Sequence, residues 1–73
     1  MNKMILLKAY CYDINAVIVH DYISGNIAIA YDDSNYILLK FNERKNDWDV
    51  LDEDDDYNYI LEKYNRIVCA NTW

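Results

Sequence analysis

The chain has 73 residues, of which 53% are hydrophobic, and it contains one glycine and no proline. A chain of this length forms a single domain near the lower limit of self-sufficiency, and its hydrophobic content argues against disorder. Thirteen acidic residues against seven lysines and arginines give a net charge of −6. This charge argues against direct binding of nucleic acid or of an anionic membrane, because both need a basic surface.

The first element, residues 3–12, is predicted to be a strand. The apolar run KMILLKAYCY is rich in aromatic residues and ends before Asp13 and Asn15. Because Lys8 interrupts it, the run is too short for a signal peptide or a membrane span. We therefore expect a cytoplasmic protein. The many Asn, Ile, Tyr, Asp and Lys residues have AT-rich codons, which points to a bacterial cell or one of its phages.

The next two strands are predicted to form a hairpin. Residues 16–23 and 27–31 are β-branched and aromatic, and the turn residues Ser24, Gly25 and Asn26 lie between them. A three-residue loop would pair Ile23 with Ile27 and fix which side chains share a face. The expected shared face contains Val17, Val19, Ile23, Ile27 and Ile29.

A fourth strand is predicted over residues 36–42, after a turn at 32–35 that is rich in Asp, Ser and Asn. Its alternation directs Ile37, Leu39 and Phe41 inward. The polar segment 42–50 is expected to be a loop.

The last element, residues 54–68, is predicted to be an amphipathic helix. Acidic residues crowd its start while Lys63 and Arg66 lie near its end, as the helix dipole favours, and Asp52 or Asp54 is the expected N-cap. The apolar stripe consists of Tyr57, Ile60, Leu61, Tyr64, Ile67 and Val68. We expect it to pack on Ile5, Val17, Val19, Ile29, Leu39 and Phe41.

The predicted fold class is therefore α+β. One small domain spanning 1–73 would contain a four-stranded antiparallel sheet of two hairpins packed on one C-terminal helix, in the order ββββα.

No constellation of residues in the sequence indicates catalysis. His20 and Asp21 are neighbours, but consecutive strand residues point to opposite faces, so we expect an exposed histidine rather than a paired base. Cys11 and Cys69 lie in apolar surroundings and are expected to be reduced and buried. The prediction is a protein that is not an enzyme and has no cofactor.

A metal site is not predicted either. Asp47, Asp49 and Asp52 begin with a spacing that faintly resembles a calcium loop. Such a loop needs glycine at its sixth position and glutamate at its twelfth, whereas this chain has Asp52 and Asn58 there.

The segment DWDVLDEDDD, residues 47–56, is the most distinctive in the chain, with seven acidic residues in ten. One interpretation is a solvated run that caps the helix and keeps the protein soluble. The other is a surface that imitates nucleic acid, since duplex DNA carries about one charge per 1.7 Å of axis. Self-repulsion among so many acids costs stability, which favours the second. The candidate partner-binding residues are Asp47, Trp48, Asp49, Asp52, Glu53, Asp55, Asp56 and Tyr59.

The functional hypothesis is a stoichiometric inhibitor that blocks a basic, nucleic-acid-handling protein. Small acidic domains without catalytic residues are typical, by analogy, of phage inhibitors of host enzymes and of host defences such as CRISPR or restriction systems. They also occur among antitoxins and immunity proteins that neutralise basic nucleases. A structural or homo-oligomeric module, for instance a homodimer formed through a strand edge, is the remaining alternative.

Overall fold

The computed structural model describes residues 2–71 as a four-stranded antiparallel sheet with one helix on each face. The α+β class and the sheet of four antiparallel strands are confirmed, but the element order is αββββα. The elements are α1 (Lys3–Asp13), β1 (Val17–Tyr22), a 3-10 turn (Ile23–Gly25), β2 (Ile27–Tyr31), β3 (Tyr36–Asn42), β4 (Asp47–Asp54) and α2 (Tyr57–Asn71). Strands are neighbours in the order β1-β2-β3-β4, so β1 and β4 are the edges.

The prediction of a strand over 3–12 is wrong, because this segment is helix α1. Its apolar residues satisfy a helical repeat as well as an alternating one, and periodicity alone does not separate the two in a short apolar run. Leu7 and Cys11, four residues apart, form the buried side of the helix. The side chain of Asn2 accepts a hydrogen bond from the N–H of Met4 at 2.7 Å and so caps the helix start.

The predicted loop over 42–50 is also wrong, since β4 begins at Asp47 and runs through most of the acidic segment. Aspartate is unfavourable in strands, but pairing with β3 overrides that local preference. Trp48 lies opposite Phe41, and the connection is a short turn that Asn46 closes with a φ of 54°.

The β1–β2 hairpin has a four-residue connection, not the predicted three, because Tyr22 rather than Ile23 lies opposite Ile27. The positive φ that the turn needs is at Asn26, at 63°. Gly25 is needed for space instead, since a Cβ there would meet the Tyr22 ring at 2.5 Å.

An irregularity between Ile18 and His20 shifts the register of β1, so that Val19 is an extra residue in the strand. The predicted shared face therefore does not form. Val17 and Val19 are 62% and 36% exposed instead of packing under the helix.

Helix α2 covers one face of the sheet through a continuous apolar stripe, as predicted, although it begins at Tyr57 rather than at residue 54. Ile60 is fully buried against the sheet. Of the six residues expected beneath the stripe, only Ile29 is there. The buried partners of α2 in the sheet are Ile27, Ile29 and Leu38.

The opposite face of the sheet forms a second core with α1. Leu39 and Phe41 belong to this core and not to the α2 side, while Ile5 is 55% exposed on α1. Cys11 is buried here, and burial raises the pKa of its thiol. Cys69 is exposed on α2, so the prediction that both cysteines are buried is wrong for that residue. Within residues 2–71, neither helix combines the length and apolar character that a bilayer crossing requires.

Candidate functional site: the acidic surface

Trp48, a predicted partner-binding anchor, is a core residue. Its side chain is only 3% exposed, and it packs edge-to-face against Phe41 with ring centroids 5.4 Å apart. Its indole Nε1 donates a hydrogen bond to the carbonyl of Lys3 in α1 at 3.0 Å. The alternation of β4 turns this side chain toward α1, so it offers no surface to a partner.

Two of the predicted acidic contacts are engaged by basic residues of the same chain. Asp49 accepts hydrogen bonds from Lys45 and, at 3.0 Å, from Asn42, and both hold the pKa of its carboxyl below the ordinary value. Asp52 pairs with Lys63 of α2, which is the main cause of its lowered pKa. The Asp49 carboxylate therefore links β4 to the β3–β4 turn, and that of Asp52 links β4 to α2.

The carboxylates where β4 meets α2 serve the helix start. Asp56 is the N-cap, because its side chain accepts hydrogen bonds from the N–H groups of Asn58 at 3.0 Å and Tyr59 at 3.3 Å. Asp54 accepts one from the N–H of Asp56 at 2.8 Å. The expected N-cap, Asp52 or Asp54, is therefore displaced to Asp56, while Asp55 is exposed.

The fold brings two further acidic residues, Asp32 and Asp33 of the β2–β3 turn, to the same place, although the sequence did not indicate them as part of the site. Tyr36 at the start of β3 lies opposite Asp54 at the end of β4, so the β2–β3 turn lies beside the end of the acidic segment. The Nδ2 group of Asn35 in that turn donates to Glu53 at 3.1 Å. We call the resulting set the acidic end of the sheet: Asp32, Asp33, Glu53, Asp54, Asp55 and Asp56.

Within the acidic end, Asp32 stabilises the β2–β3 turn. Its carboxylate accepts hydrogen bonds from the N–H groups of Asn35 at 2.8 Å and Ser34 at 3.0 Å, and these lower its pKa. Asp33 follows at the tip of the turn with a φ of 74° and is exposed. The composition of the turn was visible in the sequence, but its position beside β4 depends on the β3–β4 register.

The basic residues of the β3–β4 turn lie at the opposite end of the sheet, whereas Lys63 of α2 borders the acidic end and pairs with Asp52 beside it. Strand β3 runs from Tyr36 at this end to Asn42 at the other, where the β3–β4 turn carries Arg44 and Lys45. Within residues 2–71, no ion pair includes a carboxylate of the acidic end. The ion pairs are Lys3–Glu43, Lys45–Asp49, Lys63–Asp52 and Arg66–Glu62.

Tyr59 is the predicted anchor that does reach the surface. Its side chain is 41% exposed on the first turn of α2, just after Asp56. The Nζ atom of Lys63 lies 4.7 Å from the centroid of its ring, a cation–π contact that holds the ring against the helix.

His20 is half-buried beneath α2 and not exposed as expected. Its Nε2 atom and the Tyr57 hydroxyl are 2.7 Å apart in a hydrogen bond, and its ring stacks with Tyr57 and Tyr64. The contact joins the edge strand β1 to α2. Asp21 is exposed on the neighbouring position of β1, and the structure records no hydrogen bond between it and the histidine among the described residues.

A tyrosine cluster lies beneath the acidic end. Tyr31 and Tyr36 pack with ring centroids 4.6 Å apart, and Tyr36 packs on Tyr57 at 4.9 Å. These three residues flank the β2–β3 turn and the start of α2. They therefore tie together the two chain segments that carry the acidic end.

In the part of the chain that the structure describes, no group of three or more His, Cys, Asp or Glu side chains is arranged to hold a metal ion. Most carboxylates of the acidic end instead accept hydrogen bonds from backbone or amide N–H groups. The arrangement suits electrostatic attraction of a cationic surface more than coordination chemistry.

Comparison with protein-family models found no match to this chain. Curated protein sequences and solved structures likewise gave no match.

Proposed function

We propose that this protein is a non-enzymatic inhibitor that places its acidic end on a basic, nucleic-acid-binding surface of another protein. The observation that carries the proposal is the convergence of six carboxylates from two separate segments without an ion pair to any described lysine or arginine. Such a concentration of one charge sign creates a field that attracts a cationic partner.

The charge density supports imitation of nucleic acid. The acidic end extends from the β2–β3 turn across β3 to β4, which is about 10 Å at the usual spacing of about 4.8 Å between strands. Duplex DNA carries about one charge per 1.7 Å, or about six charges over the same distance. Six carboxylates at this end therefore match the duplex in linear density, and a groove lined with Arg and Lys would bind either one.

The binding surface differs from the one predicted from sequence. Trp48 is withdrawn because it is buried, and Asp47 because it lies at the other end of β4 from the acidic end. Asp49 and Asp52 contribute less because Lys45 and Lys63 neutralise them. The retained surface comprises Glu53, Asp55, Asp56 and Tyr59, to which Asp32, Asp33 and Asp54 are added.

Neutralising the exposed carboxylates tests the proposal. The variant Asp33→Asn/Glu53→Gln/Asp55→Asn spares the three aspartates that bond backbone N–H groups. Glu53→Gln keeps a side-chain oxygen that can accept from Asn35, so we expect the fold to be preserved, which circular dichroism checks. The matched control removes the same charge elsewhere: Asp21→Asn/Glu43→Gln/Glu62→Gln.

The immobilised protein is first incubated with a bacterial lysate at low salt, with and without excess duplex DNA, and retained proteins are identified by mass. The DNA binding of the purified partner is then titrated with wild type and both variants. We expect the wild type and the control to inhibit, and the acidic-end variant to require a much higher concentration. Equal inhibition by the two variants would contradict the proposal.

Self-association is the second candidate function, because Val17 and Val19 leave apolar surface at the β1 edge. Light scattering coupled to size exclusion, over a wide range of protein concentration, separates the two. A concentration-independent monomer supports the inhibitor, and a stable dimer supports the oligomeric module. A captured partner that is itself a basic nuclease would make the protein an immunity-type inhibitor.

A further inference from the structure

The outer edge of β4 can be mapped from the hydrogen bonds of its neighbour. The N–H of Phe41 donates to the carbonyl of Asn26 at 2.9 Å, so the main chain of Phe41 faces β2 and not β4. Residues opposite each other in a non-hydrogen-bonded pair direct their N–H and C=O groups outward. Trp48, opposite Phe41, therefore presents its main chain to the free edge. Val50 and Glu53 do the same from alternate pairs, although they are three residues apart, because Leu51 is an extra residue at a register shift in β4.

Two of these three outward N–H groups are covered by side chains of the chain itself. The carboxylate of Asp47 accepts from the N–H of Trp48, and that of Asp52 from the N–H of Glu53, each at 2.8 Å. Among the described residues no side chain covers the N–H of Val50, whose side chain is 46% exposed. The edge therefore keeps one open donor, and its outward carbonyls remain available as acceptors.

The charge of β4 decides what can pair with this edge. Five of its eight residues are acidic, so a second copy added edge to edge would bring carboxylates next to carboxylates, which destabilises cross-strand pairs. A strand with alternating cationic side chains would replace this repulsion between carboxylates by attraction between opposite charges. Asp47 and Asp54 are available to pair with those cationic side chains, since neither has an ion pair within residues 2–71.

The two faces of β4 set the pattern that the added strand needs. Asp54 lies opposite Tyr36, which packs on the α2 side, and Asp47 shares that side of the sheet. Val50 lies on the α1 side, opposite the buried Leu39. A complementary strand therefore carries Lys or Arg toward α2 and an apolar residue toward α1.

We propose that β4 takes up an extended cationic segment of a partner protein as a fifth strand of the sheet. The main chain of the segment would bond Val50, and its Lys or Arg side chains would bind Asp47 and Asp54. Main-chain pairing supplies affinity and the alternating side chains supply specificity, as in other additions of a peptide to a sheet edge. The inference rests on the proposed function and names the part of the partner that this surface would hold.

A short peptide of alternating lysine and valine, blocked at both ends, is the probe. Its binding is measured by titration calorimetry at low salt, and protection of the Val50 amide is followed by hydrogen exchange in NMR spectra. A control peptide with an N-methyl group on every residue has the same charge but has no backbone donor on either edge, so it cannot form the strand ladder. We expect slowed exchange at Val50 with the first peptide and loss of that protection with the second.

The protein variants are Val50→Pro and Val50→Thr. Proline removes an N–H that faces solvent, a position where an edge strand tolerates it, and threonine keeps the N–H. We expect Val50→Pro to bind the peptide about fivefold more weakly, as the loss of one hydrogen bond implies, and Val50→Thr to bind like wild type. Equal affinity for the two peptides, with no protection at Val50, would overturn the inference even if Val50→Pro failed to fold.

The two proposals fail in different ways. If the captured partner binds DNA normally in the presence of the protein while the peptide still protects Val50, the proposed function fails and the strand site stands. If Val50→Pro is folded and inhibits the partner as well as wild type does, the strand inference fails and the proposed function stands.

Discussion

Replacing Trp48 with alanine removes a large ring that is 3% exposed, together with its packing on Phe41 and its hydrogen bond to the carbonyl of Lys3. Substitutions of this kind in a core cost about 3–5 kcal/mol. A domain of this length has a total stability of about 4–11 kcal/mol on the usual per-residue scale. We therefore expect Trp48→Ala to be largely or wholly unfolded at temperatures where the wild type is folded.

Two companion variants make the result interpretable. Trp48→Phe keeps most of the ring but loses the indole donor, and should cost about 1–2 kcal/mol. Tyr59→Ala removes the other predicted anchor, which is 41% exposed and contacts Lys63, and should cost less than about 1 kcal/mol.

Urea unfolding followed by far-ultraviolet circular dichroism gives the free energy of unfolding for all of these proteins. The expected order of stability is wild type, then Tyr59→Ala, then Trp48→Phe, with Trp48→Ala last. If Trp48→Ala unfolds at the wild-type midpoint, the ring is not part of a core between the sheet and α1. It would then be free to act as the partner contact that its sequence context first indicated.

Three further predictions concern single interactions. Asp56→Ala removes the cap of α2 and should lower the free energy of unfolding in urea by about 1 kcal/mol, whereas Asp55→Ala next to it should change little. Lys63→Met should raise the pKa of Asp52, measured by NMR titration, because the ammonium is the main cause of its lowered value. The folded-state pKa is depressed, so the stabilisation is complete above the unfolded value of about 3.9 and is lost as pH falls through the folded one. Lys63→Met should flatten this acid-side loss. Tyr57→Phe removes the hydrogen bond to the histidine ring and should cost about 1 kcal/mol in the same urea assay; an unchanged midpoint would show that the bond does not stabilise the fold.

Local patterns were sufficient to predict three strands and the C-terminal helix. The stripe of α2 and the hydrophobic segments of β1, β2 and β3 each carry their signal within a few neighbouring residues. Helix α1 was missed because its apolar run fits both repeats. The choice between a helix and a strand for this segment depends on whether the second face of the sheet must be buried by a helix.

Strand β4 and the candidate site were harder to predict for a related reason. Nothing local in an acidic segment favours a strand, and β4 forms because Trp48 and Val50 fit against β3. Without that strand, the burial of Trp48 could not be foreseen, nor could the position of the β2–β3 turn beside Glu53. The concentration of negative charge near the start of α2 was predictable, because it is written in consecutive residues.

The four residues from Ile27 to Ala30 in β2 are each fully buried, with isoleucines packed on the α2 side and alanines on the α1 side. The strand thus contributes to two cores, one under each helix, that lie on opposite faces of the sheet. Opening of either helix would uncover one side of β2 and leave the ladder hydrogen bonds of the strand in place. The amides of β2 should therefore exchange with solvent only on global unfolding, while those of α1 and α2 exchange through separate partial openings of lower free energy. The middle of the sheet is then the last part of the molecule to unfold. Either helix could open partly when a partner binds, while the sheet stays folded.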